Sequence, residues 1–273
     1  LAGWFRLGFE GLADRVALWL PWHRQRILRD FCGTLALLLD AGLPEERALR
    51  LAGAVPGNIV FAARVERACA GLSDGLALPQ ALARQSPLHR QHLSCRASLA
   101  ESALGLMPAR YGDLATDTAQ ADQLGLVDLC LTPRAGFKGP GAAHFLQQHS
   151  VALPGSPNRT QQQDNGLLVN QLSFDEYLLL DTTATASTMI TTLCNAWSLD
   201  NAPDCYQVPR QDSHGCLAVT GQAAWRMLSS LISVDLRPHR FTDFQIAQTL
   251  LNDLSVIVIR CDQGKVPNYY LLA

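Results

Sequence analysis

Between Ile27 and Leu39 the apolar residues Ile27, Leu28, Phe31, Leu35, Leu38 and Leu39 recur at intervals of three and four, which sets them along one face of a helix. Asp40-Ala41-Gly42 ends that helix, because Gly42 can take the left-handed conformation favoured just past a helix C-terminus. Pro44, Glu45 and Glu46 then open a second helix, with proline at a first-turn position and acids at the positive end of the dipole. Further breaks at Val55-Pro56-Gly57-Asn58, Ser73-Asp74-Gly75 and Ser86-Pro87 separate more apolar-periodic segments. From about residue 126 the pattern changes. Short apolar or alternating runs at 126–131, 166–172, 176–181, 217–220 and 255–260 are bounded by glycine, proline or polar clusters and predict strands. Helices are predicted between them at 141–149, 185–197 and 222–230. Strands and a few helices without a regular strand-helix-strand rhythm indicate an α+β domain with antiparallel pairing.

The expected organisation is α+β overall: an all-α helical-bundle domain over residues 1–120, a junction at 121–125 and an α+β domain over 126–273. The length of 273 residues suits two domains of ordinary size. Both lysines of the chain, Lys138 and Lys265, fall in the second part. The polar segment from Thr116 to Gln123 is neither a Gly/Ser linker nor a Pro-rich spacer, and reads either as a splice scar or as an interdomain helix.

A net charge of −2 with scattered arginines leaves no basic stripe to track a phosphate backbone, which argues against nucleic-acid binding. The eight cysteines show neither a C-x-x-C pair nor a close cysteine/histidine cluster, so no metal site is expected and they read as buried thiols of a reducing compartment. No run is long enough to span a membrane. The opening Leu1-Ala2-Gly3-Trp4-Phe5-Arg6 sets aromatic residues beside a charge, as at interfacial flanks of membrane helices, and fits either a truncated membrane-bound parent or an ordinary amphipathic first helix. Asn158-Arg159-Thr160 is read as a chance match to a glycosylation sequon.

Three local patterns suggest chemistry and lose it on inspection. Gly139-Pro140-Gly141 opens like a dinucleotide-binding fingerprint, but His144 stands in place of the third glycine and Pro140 has no N–H to offer a phosphate. Asp212-Ser213-His214 holds the residue types of a hydrolase triad, yet neighbours in sequence are not expected to converge as a triad must, and the segment reads as strand pairing or subunit contact. Glu101, Asp113 and Asp117 read as a solvated helix face rather than a cation site. No catalytic, cofactor-binding or metal-ligating residue is expected. Lys138 beside a tight turn, with Arg210, His214, Arg237 and His239, forms a candidate polar patch for subunit contact.

Two resemblances to known families accompany these readings. The string from Phe31 through Gly42-Leu43-Pro44, with Ala48-Leu49, Gly57-Asn58, Gly75, Leu78, Ala81 and Leu82, resembles the cytoplasmic helical domain of type II secretion system protein F and its type IV pilus relatives. Asp14-Arg15 and Leu20-Pro21 look like the lead-in to the second repeat of that family, so the resemblance spans about residues 12 to 115. It implies a non-enzymatic inner-membrane platform that contacts an assembly ATPase. Ala103 and Met107-Pro108 depart from that pattern, and Pro108 should break the helix expected there.

From Leu126 onward the chain is similar to the gamma subunit of heterotetrameric sarcosine oxidase. The motifs are Thr132-Pro133-Arg134-Ala135-Gly136-Phe137-Lys138-Gly139-Pro140-Gly141, Pro157-Asn158-Arg159, the strand from Leu172-Ser173 to Glu176-Tyr177-Leu178-Leu179-Leu180, the stretch from Asp212-Ser213-His214 to Ala218-Val219-Thr220-Gly221, Val234-Asp235-Leu236-Arg237-Pro238-His239 and Ile246-Ala247-Gln248-Thr249. That family is related in fold to the folate-binding domain of aminomethyltransferases. The resemblance implies a cytoplasmic, non-catalytic subunit packed against the alpha subunit of a complex that oxidatively demethylates sarcosine to glycine. Flavins, NAD and folate are then expected in partner subunits and none in this chain. A chimera of two halves without a joint function is the third possibility, and inner-membrane association follows if the secretion-like half sets the location.

Overall fold

The computed structural model describes residues 14, 18, 20–73, 75, 78–82, 85–102, 104–182, 187–211 and 213–273. The opening segment 1–6, Ala103 and Asp212 lie outside the described residues. The chain separates into two compact units, residues 1–83 and 84–273. The first is helical and the second is a sheet-rich α+β domain.

The first unit contains α1 (Pro21–Asp40), α2 (Glu45–Ala54), α3 (Ile59–Ser73) and α4 (Leu78–Leu82). Of the predicted apolar face on α1, Ile27, Phe31 and Leu35 are buried while Leu28 is exposed, so the buried stripe follows a strict four-residue step. It packs with Ala48, Leu49 and Ala52 of α2 and with Phe61, Val65, Ala68 and Cys69 of α3. Gly42, at φ 76°, ends α1 in a Schellman turn: its N–H donates to Leu39 O (2.9 Å) and the Leu43 N–H to Leu38 O (3.1 Å). Pro44 is the N-cap of α2 rather than its first residue, and Glu45 and Glu46 occupy the first turn. Asn58 caps α3 by accepting from the Phe61 N–H at 2.8 Å. Gly53 lets α2 and α3 approach closely, since a methyl there would lie 2.8 Å from Val65 Cγ1.

The second unit begins within the stretch expected to be helical. After α5 (His89–Ser94), β1 (Ser98–Ser102) and β2 (Gly105–Arg110) pair antiparallel. The physical reason lies in Pro108. It would forfeit a helical hydrogen bond and clash with the preceding turn, whereas in the two-stranded sheet it pairs with Leu99. Next, α6 (Leu114–Leu124) covers the polar junction. Asp113 caps it by accepting from the Thr116 N–H at 2.9 Å. The end of α6 is bound to the domain: Asp122 O and Gln123 O accept from the N–H groups of Gln222 and Ala223, each at 3.0 Å.

Two five-stranded antiparallel sheets follow. One has the order β10 (Ile246–Leu251), β11 (Leu254–Arg260), β12 (Asn268–Leu272), β9 (Cys216–Thr220), β3 (Gly125–Asp128). The other runs β5 (Arg159–Gln162), β6 (Leu168–Ser173), β7 (Glu176–Leu180), β4 (Arg134–Lys138), β8 (Tyr206–Val208). Three apolar layers hold them. Leu168, Leu178 and Leu180 of the second sheet meet Ala218, Ile246, Ile259 and Tyr270 of the first. The outer face of the second sheet packs Phe137, Val169 and Leu179 against α7 (Ala142–Gln148) and α8 (Ser187–Ala196). The outer face of the first sheet packs Val219, Val258 and Tyr269 against α9 (Ala224–Ser229) and the following loop. Sheets packed face to face with helices outside are the arrangement that period-two strands with both faces apolar require.

Candidate functional site: a polar cleft between two sheets

The side chains of β4 and β7 that face the intersheet layer alternate as Arg134, Gly136, Lys138 and Leu180, Leu178, Glu176, paired residue by residue across the two strands. Charge therefore stands at both ends of β4, with Lys138 opposite Glu176 at one and Arg134 at the other. Arg134 is buried and builds the support. Its guanidinium donates to Leu129 O (2.9 Å), Cys130 O (3.3 Å), Gln211 O (3.1 Å) and His214 O (3.1 Å), which ties the loop after β8 to the β3–β4 connection. That loop carries Arg210. The Arg210 side chain crosses Gly136, where a Cβ would lie 3.0 Å from its Cγ and Nε, and its Nη2 reaches Glu176 Oε1. Glu176 accepts from Lys138 Nζ as well, at 2.9 Å.

Beside this group lies a cleft of about 510 Å³ lined by Glu176, Arg210, His214 and Gln248 together with Leu172 and Ile257. Burial, then the neighbouring guanidinium groups of Arg210 and Arg134, push the His214 imidazole below its ordinary pKa, so it is neutral at neutral pH. Ser213 Oγ lies 2.7 Å from His214 Nδ1, closer than adjacency in sequence led us to expect. The hydroxyl donates to Pro209 O at 2.8 Å, so its proton is committed to the backbone and the pair acts as a turn brace.

Of the five candidate contact residues, Lys138, Arg210 and His214 come together here. Lys138 is about half exposed, whereas Arg210 presents only a tenth of its side chain. Arg237 lies elsewhere, exposed and paired with Asp235 at 2.8 Å, and His239 is exposed nearby. Glu176, which joins the two cations, is the site residue that the sequence reading lacked. Its place two and four residues before Leu178 and Leu180 was the available signal, since it puts a carboxylate on a leucine face.

A second polar cluster has a buried centre in Ser86, His92 and Asp128, with Tyr111 exposed at its edge. Asp128 at the end of β3 accepts from Ser86 Oγ, from His92 Nε2 at 2.7 Å and from the Cys130 N–H at 2.9 Å. Nδ1 of the same ring and the Tyr111 hydroxyl are hydrogen-bonded at 2.5 Å. Burial would raise the Asp128 pKa, but the hydrogen bonds from Ser86, His92 and Cys130 outweigh it and hold the carboxyl below its usual range.

The remaining sequence features resolve into structure. Gly139 at φ 118° and Gly141 are required by close approach, since a methyl on either would lie 2.2 Å from the carbonyl oxygen of Asp204 or Pro203. Their N–H groups donate to Asp175 O (2.8 Å) and Asp204 O (3.1 Å), which leaves neither amide for a phosphate. Asp117 accepts from the Tyr111 N–H at 3.1 Å and Asp113 serves as the α6 cap, so both acids of that stretch serve the backbone. Cys69, Cys130, Cys205, Cys216 and Cys261 are buried and Cys194 partly so, but Cys32 and Cys95 are exposed, which corrects the expectation of eight buried thiols. Burial raises the Cys216 and Cys261 thiols to about 12. Among the described residues no group of three or more histidine, cysteine or acidic side chains is placed to hold a metal ion, and no helix is long and apolar enough to cross a membrane.

Comparison with known proteins adds two partial matches. Residues 31–118 match the family described as type II secretion system (T2SS), protein F. Among solved structures, the glycine cleavage system aminomethyltransferase T from Bartonella henselae superposes with a TM-score of 0.51 at 16% identity, over 69% of this chain and 53% of that one. The heterotetrameric sarcosine oxidase from Corynebacterium sp. U-96, in complex with pyrrole 2-carboxylate, gives 0.47 at 19% identity, over 70% of this chain and 86% of that one. No curated protein matches the chain. The chain joins a protein F-like segment to an α+β domain with the fold of aminomethyltransferase T, of whose length it spans about half.

Proposed function

We propose that the second unit serves as a non-catalytic, gamma-type subunit of a heterotetrameric sarcosine oxidase, held against the alpha subunit. The observation that carries this reading is the ordered series of gamma-like motifs from Thr132 to Thr249, set on a domain of aminomethyltransferase-type fold. Lys138, Arg237 and His239 and the apolar side chains Phe174, Leu199 and Tyr206 are exposed, residue types suited to contact with a partner. On this reading the chain is cytoplasmic, and flavin, NAD and folate reside in partner subunits.

A second reading rests on the protein F match: the helical unit, with exposed Trp22, Leu37, Leu51 and Ile59, contacts an assembly ATPase at the inner membrane. A native pull-down of the C-terminally tagged chain from its own cells separates the two. Recovery of large flavoprotein subunits supports the oxidase reading, and recovery of an assembly ATPase supports the second. A chain that captures neither sinks both and leaves a fusion without joint function. Flavin absorbance in the chain purified from a host lacking the other oxidase subunits would contradict the non-catalytic assignment.

A further inference from the structure

The layer between the two sheets ends in unbalanced charge. Arg210 and Arg134 are the cations about His214, which burial and these neighbours hold neutral, while Lys138 at the rim lies between Glu176 and Asp175. Three cations against two carboxylates leave one positive charge over beside a cleft of about 510 Å³, a size ordinary for small-molecule sites. Arg210 is also under-used. Its Nη2 bonds Glu176, its Nε is buried without a partner, and among the described residues Nη1 makes no hydrogen bond. The buried Nε is costly to leave unpaired, whereas Nη1 is open to solvent and is the donor left for an anion in the cleft that Arg210 lines. Gln248 does not compete for such a ligand, because its amide already donates to Leu172 O (2.7 Å) and Asn158 Oδ1 (3.1 Å). The opposite walls, Leu172, Ile257 and Leu272, are apolar.

We propose that this cleft binds a small monocarboxylate, its carboxylate against Arg210 and beside His214 and its hydrocarbon against Leu172, Ile257 and Leu272. A surplus of one charge suits a monoanion. Glu176 opposes a phosphate dianion, and Arg210 opposes a cation. The proposal stands apart from the subunit reading, which the pull-down decides.

The test is titration of the full chain with butyrate, followed by the ¹H–¹⁵N signals of the Arg210 Nε–H and the His214 ring. Saturable shifts of both are expected, with none from 1-butanol or butylammonium at the same concentrations. A bound anion favours the imidazolium, so saturating butyrate should raise the His214 pKa in the unaltered protein. Arg210→Lys and Gly136→Ala should each weaken binding about tenfold or more, which corresponds to about 1.4 kcal/mol. The second variant keeps the charge and moves Arg210 with a methyl placed 3.0 Å from its Cγ and Nε. Absence of a saturable shift, an unmoved His214 pKa, or unchanged affinity in both folded variants overturns the proposal. So does tighter binding by an end-blocked glutamyl peptide than by butyrate, which would assign the cleft to a partner's side chain.

Discussion

Replacing Asp128 by alanine should cost the second unit about 3–5 kcal/mol of stability. The carboxylate is buried and takes three hydrogen bonds, from Ser86, His92 and the Cys130 N–H. Its loss strands three donors, two of them on side chains that are themselves buried. Each stranded donor costs about 1–3 kcal/mol, reduced where water enters, and the loss of one partner from a buried charged network typically totals about 3–5 kcal/mol. For a domain of this size about 2–4 °C of melting temperature is lost per kcal/mol, so calorimetry should show a fall of roughly 6–20 °C in the transition of the second unit. Acid dependence gives an independent check. A carboxyl whose folded pKa is depressed contributes stability that is present above its unfolded value near 4 and is lost as pH falls through the folded value. Asp128→Asn should therefore flatten the acid limb of the stability profile as well as lower its plateau. A drop of under about 1 kcal/mol in Asp128→Ala would refute the reasoning, because it would mean water satisfies the three donors as well as the carboxylate does.

Three further outcomes follow from local geometry. Gly53→Ala should destabilise the helical unit by about 1–3 kcal/mol in chemical denaturation, since the new methyl meets Val65 at 2.8 Å. A thiol reagent at neutral pH should modify Cys32 and Cys95 in the native chain and reach Cys216 and Cys261 only on unfolding, as peptide mapping would show. Gly139→Ala should prevent the second unit from folding to its native melting temperature, because the methyl would overlap the Asp204 carbonyl oxygen at a φ of 118° that alanine rarely adopts.

What the chain discloses in one dimension depends on whether a residue's role is local. The strands at Glu176–Leu180 and Leu254–Arg260 are continuous apolar runs and were legible as such. The strand at Arg134–Lys138 was not, because a glycine and two cations interrupt it, and each has a tertiary reason: Arg134 ties down a loop, Gly136 makes room for Arg210, and Lys138 pairs with Glu176. The strand at Arg159–Gln162 carries little apolar residue and gains its place from pairing with β6. The same holds for the cleft. Lys138, Arg210 and His214 were legible as polar residues near turns, but their convergence on Glu176 arises from the register of β4 with β7, which no local pattern encodes.

The boundary between the two family likenesses is not the boundary of the fold, and this sets a last prediction. The protein F match extends to residue 118, yet the helical unit ends at residue 83, and residues 84–118 belong to the second compact unit. They supply Ser86, His92 and Tyr111 to the network around Asp128, and the end of α6 runs on to accept from Gln222 and Ala223. A chain begun at residue 126, where the strand-like pattern starts, would keep Asp128 but lose two of its three donors and the helix that meets the β9–α9 turn. Begun at residue 84, it would keep all of them. Compared by calorimetry, the longer chain should retain the melting transition of the second unit in the intact protein. The shorter should melt lower by at least the shift expected for Asp128→Ala, since an under-solvated buried carboxylate is as costly as the stranded donors. Equal transitions would mean that residues 84–125 merely lie on the domain. A lower one in the shorter chain would mean that sequence of secretion-protein type has become part of the second unit's core.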